Sequence, residues 1–220
     1  MLALDMTFNP APTTLLQASE LALQRGDAWL FKNLSFHVSS GQILWLRGQN
    51  GRGKTSLLRV LVGLAQPERG TLAWSNSNLA NESSSKAVYI GHANGLKDEL
   101  TVLESLQFLA RVHGHTLTQT VALAALRHLH IDHCCNRLVR TLSQGQQRRV
   151  ALARLALETT PNLWVLDEPF DTLDAEGVRI VNHLLSEHLA RQGSVVLTSH
   201  IPLELMNTKV QQLNLDEVNR

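Results

Sequence analysis

Gly48-Gln49-Asn50-Gly51-Arg52-Gly53-Lys54-Thr55-Ser56 lies between an apolar run and a segment of helical periodicity. From Gly48 to Thr55 it fits the pattern G-x-x-x-x-G-K-[ST] at every position. The run before it, 42–47 (QILWLR), has the length and composition of a buried strand. After it, 55–64 repeats apolar residues at helical spacing and ends near Gly63. A glycine-rich turn between a strand and a helix lets successive backbone N–H groups wrap around phosphate oxygens, with the positive end of the helix dipole behind them. In such a loop Lys54 reaches the β- and γ-phosphates, and the Thr55 hydroxyl ligates Mg²⁺. An accidental lysine in a glycine-rich turn would not account for both flanks. The ligand expected on Gly48 through Ser56 is therefore Mg-ATP.

Outward from this loop the chain alternates strand and helix signals. Short apolar stretches between 15 and 38, with turn signals at Arg25-Gly26-Asp27 and Lys32-Asn33, predict antiparallel strands. Leu72-Ala73-Trp74 predicts another strand, and 75–86 is a Ser/Asn-rich surface loop. Its Asn81-Glu82-Ser83 matches the glycosylation tripeptide, which carries no weight without secretion. Strands are predicted again at 87–90, 163–166 and 195–198, and helices at 101–113 and 117–130. The first 14 residues, with Asn9-Pro10-Ala11-Pro12, keep no period and are expected as a loose arm. Strands, an inserted helical block at roughly 97–150, then strands again predict one α/β domain over 15–220 carrying a helical subdomain.

Two further segments carry chemistry. Leu163-Trp164-Val165-Leu166-Asp167-Glu168-Pro169 is an apolar strand ending in two carboxylates. Such a strand, expected next to the one feeding the phosphate loop, delivers the carboxylates rigidly to the phosphates. Asp167 suits Mg²⁺ through water, and Glu168 suits the base that polarises the attacking water. Leu142-Ser143-Gln144-Gly145-Gln146 opens a long helix, with Ser143 as N-cap. Its free N–H groups and hydroxyl make a second phosphate-binding end. One nucleotide cannot rest on both helix ends in one chain, so two chains must sandwich it.

This last stretch resembles the LSGGQ signature of ABC ATPases, with Gln144 in place of a glycine. Over roughly 15–205 the chain resembles an ABC nucleotide-binding domain. The resemblance implies a P-loop NTPase (RecA-like) core, an antiparallel β subdomain and an inserted helical subdomain. It also implies Mg-ATP hydrolysis in a head-to-tail dimer, with Leu142 to Gln146 acting in trans. Asp171-Thr172-Leu173-Asp174 resembles the D-loop, with Asp174 communicating across the dimer. His200 resembles the switch histidine that contacts the γ-phosphate. Two positions depart from the pattern. Either Arg25 or Trp29 stands where an aromatic residue stacks on adenine, and His92 replaces the Q-loop glutamine with an imidazole that can hydrogen-bond to a water or ion.

Tyr89-Ile90-Gly91-His92-Ala93-Asn94-Gly95-Leu96-Lys97 and Gln146-Gln147-Arg148-Arg149-Val150-Ala151-Leu152-Ala153-Arg154-Leu155 narrow the resemblance. Both are similar to the ATPase subunits of cytochrome c maturation haem exporters. That likeness implies docking on membrane permease subunits (B, C and D of that system) at the cytoplasmic face of a bacterial inner membrane. There, hydrolysis drives release of a haem-loaded periplasmic chaperone. His128, His130, His133, Cys134 and Cys135 hold haem and zinc ligand types, but on a helix His128 and His130 diverge by about 200°.

Composition bounds the alternatives. A formal charge of +1 gives no electrostatic case for nucleic acid, and no apolar run is long enough to span a bilayer. No signal peptide is evident, and adjacent Cys134 and Cys135 fit a reducing compartment. A transporter of another small cargo and a soluble ABC ATPase acting on ribosomes or DNA stay open. The soluble class usually carries two cassettes or a long coiled-coil insertion. A non-hydrolysing clamp would be expected to lack Glu168 or His200.

Overall fold

The computed structural model describes residues 13–74, 87–114, 116–158, 160, 162–203 and 210–218. The predicted loop at 75–86 and residues 1–12 of the predicted arm lie outside them, and Thr14 already belongs to a strand. Strands β1 (Thr14–Arg25) and β2 (Ala28–Ser39) form an antiparallel hairpin turning at Gly26, whose φ is 61°. Lys32-Asn33 is not the turn expected there but lies inside β2. The pairings Leu23↔Phe31 and Leu21↔Leu34 leave one extra residue on β2, and Leu21↔Leu34 and Ala18↔Phe36 leave one on β1. The left-handed Asn33 (φ 53°) and Glu20 (φ 51°) lie in these two bulges. The bulges keep Phe31, Leu34, Phe36 and Val38 all turned to the core despite the broken alternation.

Strand β3 is Ile43–Arg47, and β4 (Arg69–Trp74) pairs with β1, completing a three-stranded sheet in the order β2-β1-β4. Strands β5 (Ala87–Ile90), β6 (Leu163–Leu166), β7 (Ser194–Thr198) and β8 (Val210–Asn214) join β3 in a parallel sheet of order β5-β6-β7-β3-β8. Every residue of β6 and β7 is buried, as parallel strands covered on both faces require. Here the carboxylate strand departs from expectation. It is not adjacent to β3, because β7 lies between them, so the carboxylates reach the phosphate loop across one intervening strand.

Helix α1 (Lys54–Leu61) leaves β3 through the glycine-rich loop and ends before Gly63, whose φ is 75°. Helix α2 (Val102–Val112) opens on a Thr101–Glu104 capping box, and Thr118 caps α3 (Gln119–His128). Helix α4 (Gln144–Leu152) opens on Ser143, which is paired reciprocally with Gln146. It is shorter than predicted. After Leu152 the chain tightens into a 3₁₀ turn, Ala153–Leu157, which buries Leu152, Ala153 and Leu155 together. Helix α5 (Ala175–Ala190) precedes β7.

The parallel sheet divides the core in two. Trp164, Leu166, Val195 and Leu197 point to the side packed by α2, α3, α4 and α5. Leu163, Val165 and Val196, alternating with them, point to the side packed by α1 and the antiparallel sheet. The carboxyl ends of β3, β6 and β7 meet at the start of α1, which is where open α/β sheets place their ligands.

Candidate functional site

The loop from Gly48 to Gly53 can form only with glycine at its turning points. Gly48, Gly51 and Gly53 take φ values of 138°, 79° and 92°. A Cβ on Gly53 would also come 3.0 Å from Leu30. Lys54 Nζ bends back over the loop and donates to the Gly48 carbonyl at 2.6 Å and the Gln49 carbonyl at 3.3 Å. These bonds hold the ammonium above the loop N–H groups, where a phosphate oxygen can exchange for a carbonyl.

A chain of hydrogen bonds crosses the three strand ends. Thr55 Oγ1 donates to Asp167 Oδ2 at 2.8 Å, and Thr198 Oγ1 donates to Asp167 Oδ1 at 2.9 Å. The Glu168 amide donates to Thr198 Oγ1 at 2.9 Å, and the His200 amide donates to Glu168 Oε2 at 3.1 Å. Thr198 ends β7, the intervening strand, and bridges the gap that β7 creates. Asp167 is buried and Glu168 half-buried, with a left-handed φ of 49°. Glu168 Oε1 is buried and receives no hydrogen bond; His200 Nε2 lies 3.4 Å from it, an ion pair only when the imidazole is protonated.

These groups open on a cavity of about 400 Å³. Asn50, Gly51, Gly53, Lys54, Thr55 and Ser56 form one wall, and His92, Asp167, Glu168 and His200 another. Arg25 and Leu30, at the tip of the β1–β2 hairpin, close a third side. Trp29 is not among the lining residues, and Lys32 Nζ sits 4.9 Å over its ring. Of the two residues expected near adenine, Arg25 lines the cavity and Trp29 does not. Hard oxygen donors and a buried carboxylate facing Lys54 form a set that fits Mg²⁺, with Thr55 and Asp167 as the residues to hold it.

Other expected residues lie elsewhere. Gln49 and Arg52 turn to the end of β8: the Gln49 amide donates to Asp216 Oδ2 at 3.1 Å, and Arg52 pairs with Asp216. The bond from Arg52 pulls the Asp216 carboxyl below its ordinary range, aided by the Gln49 amide. None of Leu142, Ser143, Gln144, Gly145 or Gln146 lines the cavity, and Ser143 and Gln144 are exposed. Gly145 lies against the carbonyl of Thr172, where a Cβ would come within 2.7 Å. Asp174 caps α5 by accepting from the Gly177 amide at 2.8 Å and pairs with Arg149. The Gly177 bond, then Arg149, holds its carboxyl below the ordinary range. Sequence reasoning missed Thr198, Asp216 and Arg148, whose guanidinium meets the backbone behind the carboxylates. Only Thr198 gave a signal, standing at a strand end just before the candidate His200. Among the described residues no group of three or more His, Cys, Asp or Glu side chains is placed to hold a metal ion, the His128 to Cys135 stretch included.

A phosphate loop, two strand-end carboxylates and a separately exposed capped helix define an ATP-binding cassette. The sequence model of the ABC transporter family matches residues 31–171. Among curated proteins, the cytochrome c biogenesis ATP-binding export protein CcmA of Aromatoleum aromaticum is 44% identical over 86% of this chain and 89% of its own length. CcmA of Nitrosomonas europaea is 39% identical over 96% of this chain and all of its own. The chain belongs to the ABC transporter family, as an ATP-binding subunit of the cytochrome c biogenesis export type. Solved structures share the fold. An ABC transporter ATP-binding protein from Pyrococcus furiosus superposes with a TM-score of 0.79 at 22% identity, over 93% of this chain and 99% of that one. A dimeric cassette bound to ADP and Pi superposes with 0.76 at 22% identity, over 94% and 97%.

Proposed function

We propose that this chain hydrolyses Mg-ATP between two copies of itself and so energises a membrane complex for haem export in cytochrome c maturation. The observation that carries the hydrolytic part is Glu168 Oε1, a buried carboxylate oxygen without a hydrogen bond at the edge of the phosphate cavity. A carboxylate oxygen that no hydrogen bond occupies, with the His200 imidazole 3.4 Å away, suits a base for water. The loop N–H groups and Lys54 bind the triphosphate, and Asn50 and Ser56 border it. Thr55 and Asp167 would hold Mg²⁺, which would supply charge neutralisation at the phosphates. Glu168 orients the water and takes its proton, and His200, tethered to Glu168, faces the γ-phosphate. Arg25 packs on the adenine face by a cation–π contact. Ser143 and the N-terminus of α4 act on the nucleotide held by the second copy, and Asp174 holds the start of α5 beside that junction.

Two features support the partners. Among the described residues no helix is long and apolar enough to cross a membrane, so a membrane is reached through other subunits. Leu64 and Val121 are exposed at 65% and 49% and border a cleft of about 880 Å³, with Phe108 and Val112 exposed nearby on α2. An apolar patch of this kind suits a permease element. The names of the relatives support a reading in which those permeases belong to cytochrome c maturation, with the B, C and D subunits as expected partners at the cytoplasmic face of the inner membrane. Release of the haem-loaded chaperone is the step assigned to hydrolysis.

Glu168→Gln tests the reading. It keeps size and hydrogen-bonding reach but loses the base, so turnover should fall at least about 100-fold while ATP still binds. ATP should then shift the variant to twice the monomer mass. Retained turnover would remove Glu168 from the mechanism. Lost turnover with normal c-type cytochromes in cells would overturn the cargo alone.

A further inference from the structure

Arg148 stands on α4, on the helix opened by Ser143, yet its side chain serves the opposite end of the molecule's chemistry. It is 3% exposed, and its guanidinium is spent on the backbone behind the cavity. Nη2 donates to the carbonyls of Asp167 at 2.8 Å and Glu168 at 2.9 Å. Nη1 donates to the Gly91 carbonyl at 2.9 Å and to Asn94 Oδ1 at 3.1 Å, and Nε lies 3.4 Å from the Pro169 carbonyl. The planar fork thus ties the turn after β6 to the turn after β5, on either side of His92. Lysine, a point charge with three donors, cannot span these acceptors.

We propose that Arg148 is a positioning residue for hydrolysis: it fixes the backbone of 167–169 and of 91–94 to α4, so that the placement of Glu168 and His92 follows the placement of Ser143. Glu168 needs such a hold, because its φ of 49° is a backbone state that non-glycine residues avoid unless surrounding contacts enforce it. The carbonyls of Asp167 and Glu168 supply those contacts through one buried cation. When a nucleotide on a second copy engages the Ser143 end, any displacement of α4 is carried by Arg148 directly to the carboxylate that faces the water. The inference rests on the ATPase reading above, but adds a residue that touches neither nucleotide nor metal.

The test uses the purified full chain and separates binding from turnover. Arg148→Met should bind about one fluorescent ATP analogue per chain, with Kd within about threefold of wild type and kcat at least about tenfold lower. Arg148→Lys should not restore kcat. Asn94→Ala, which removes one acceptor at a half-buried position, should lower kcat about two- to fivefold with KM little changed. If Arg148→Met folds and turns over within about twofold of wild type, the proposal is overturned. It is overturned equally if binding stoichiometry falls in parallel with kcat, since Arg148 would then only hold the fold. Should Arg148→Met not fold, an unchanged kcat in Asn94→Ala overturns it. Failure of the ATPase reading shows separately, as turnover retained in Glu168→Gln.

Discussion

Lys54 keeps its charge half-buried by donating to two carbonyls of its own loop, and neither bond is part of the packed core. Removing it takes a charge-assisted hydrogen bond away from the phosphates and leaves the loop carbonyls open to water. Lys54→Ala should therefore weaken ATP binding about 10- to 100-fold, from a loss of roughly 1.5–3 kcal/mol, while the thermal midpoint hardly moves. Titration with a fluorescent nucleotide checks this, and wild-type affinity would withdraw the phosphate-loop assignment. Lys54, Thr55, Asp167 and Glu168 were legible in the sequence because each is fixed by its spacing within one continuous strand–turn segment. Thr198, Arg148 and Asp216 were not. Thr198 matters because β7 comes to lie between β3 and β6, an ordering that no local pattern encodes. Arg148 stands in the stretch that follows Gln146, and only packing reveals the backbone turn it fills.

Among the elements, β6 and α5 are joined by a contact that titrates. His188 on α5 stacks on Trp164 of β6 with ring centroids 3.7 Å apart and planes 7° from parallel. Its Nε2 donates to the Asn162 carbonyl at 3.0 Å, and a Cβ on Gly193 would strike the ring at 2.2 Å, so glycine alone fits there. Nδ1 is buried and receives no hydrogen bond. Burial pushes His188 down from 6.5 to about 4, with Arg191 adding to the effect against the backbone bonds. The unfolded chain takes up a proton near pH 6.5 and the folded chain does not until about pH 4, so stability falls with pH across that window. Between pH 7 and pH 5 the loss amounts to about 2 kcal/mol. Urea unfolding of His188→Phe, which keeps a stacked ring without a titrating group, should show a pH-dependent loss smaller by about that amount. Equal slopes for the two chains would sink the assignment. The strands feeding the site and helices α1, α2 and α3 were readable from apolar period, whereas β8 and the bounds of α5 were not. The bulges at Glu20 and Asn33 were not, since they exist only through pairing between β1 and β2.

At the scale of the whole molecule, the two-chain reading makes the cavity half of a site. The phosphate loop, Asp167, Glu168 and His200 line it, whereas Ser143 and its neighbours present a capped, exposed helix end that is not part of its lining. The Ser143 hydroxyl is held by the Gln146 amide at 3.2 Å, and Gly145 is pressed on Thr172, so this end is shaped and rigid without a ligand of its own. In the proposed two-fold pair, each cavity would receive the other chain's helix end. Ser143→Arg should block that end by bulk and charge reach while leaving its own phosphate loop intact, and Lys54→Ala should do the reverse. Each variant alone then forms dimers with two defective sites and little turnover. In a heterodimer, the intact loop of the Ser143→Arg chain faces the intact Ser143 of the Lys54→Ala chain, and the remaining site carries both defects. Equal mixing makes about half the dimers mixed, with one good site of two, so turnover should recover to about a quarter of wild type if the sites act independently. Sites that fire only as a pair would give less, but still more than the two variants measured apart. Near-normal turnover of Ser143→Arg alone, or a mixture no more active than its components, would mean that each chain completes its own site and would overturn the two-chain arrangement.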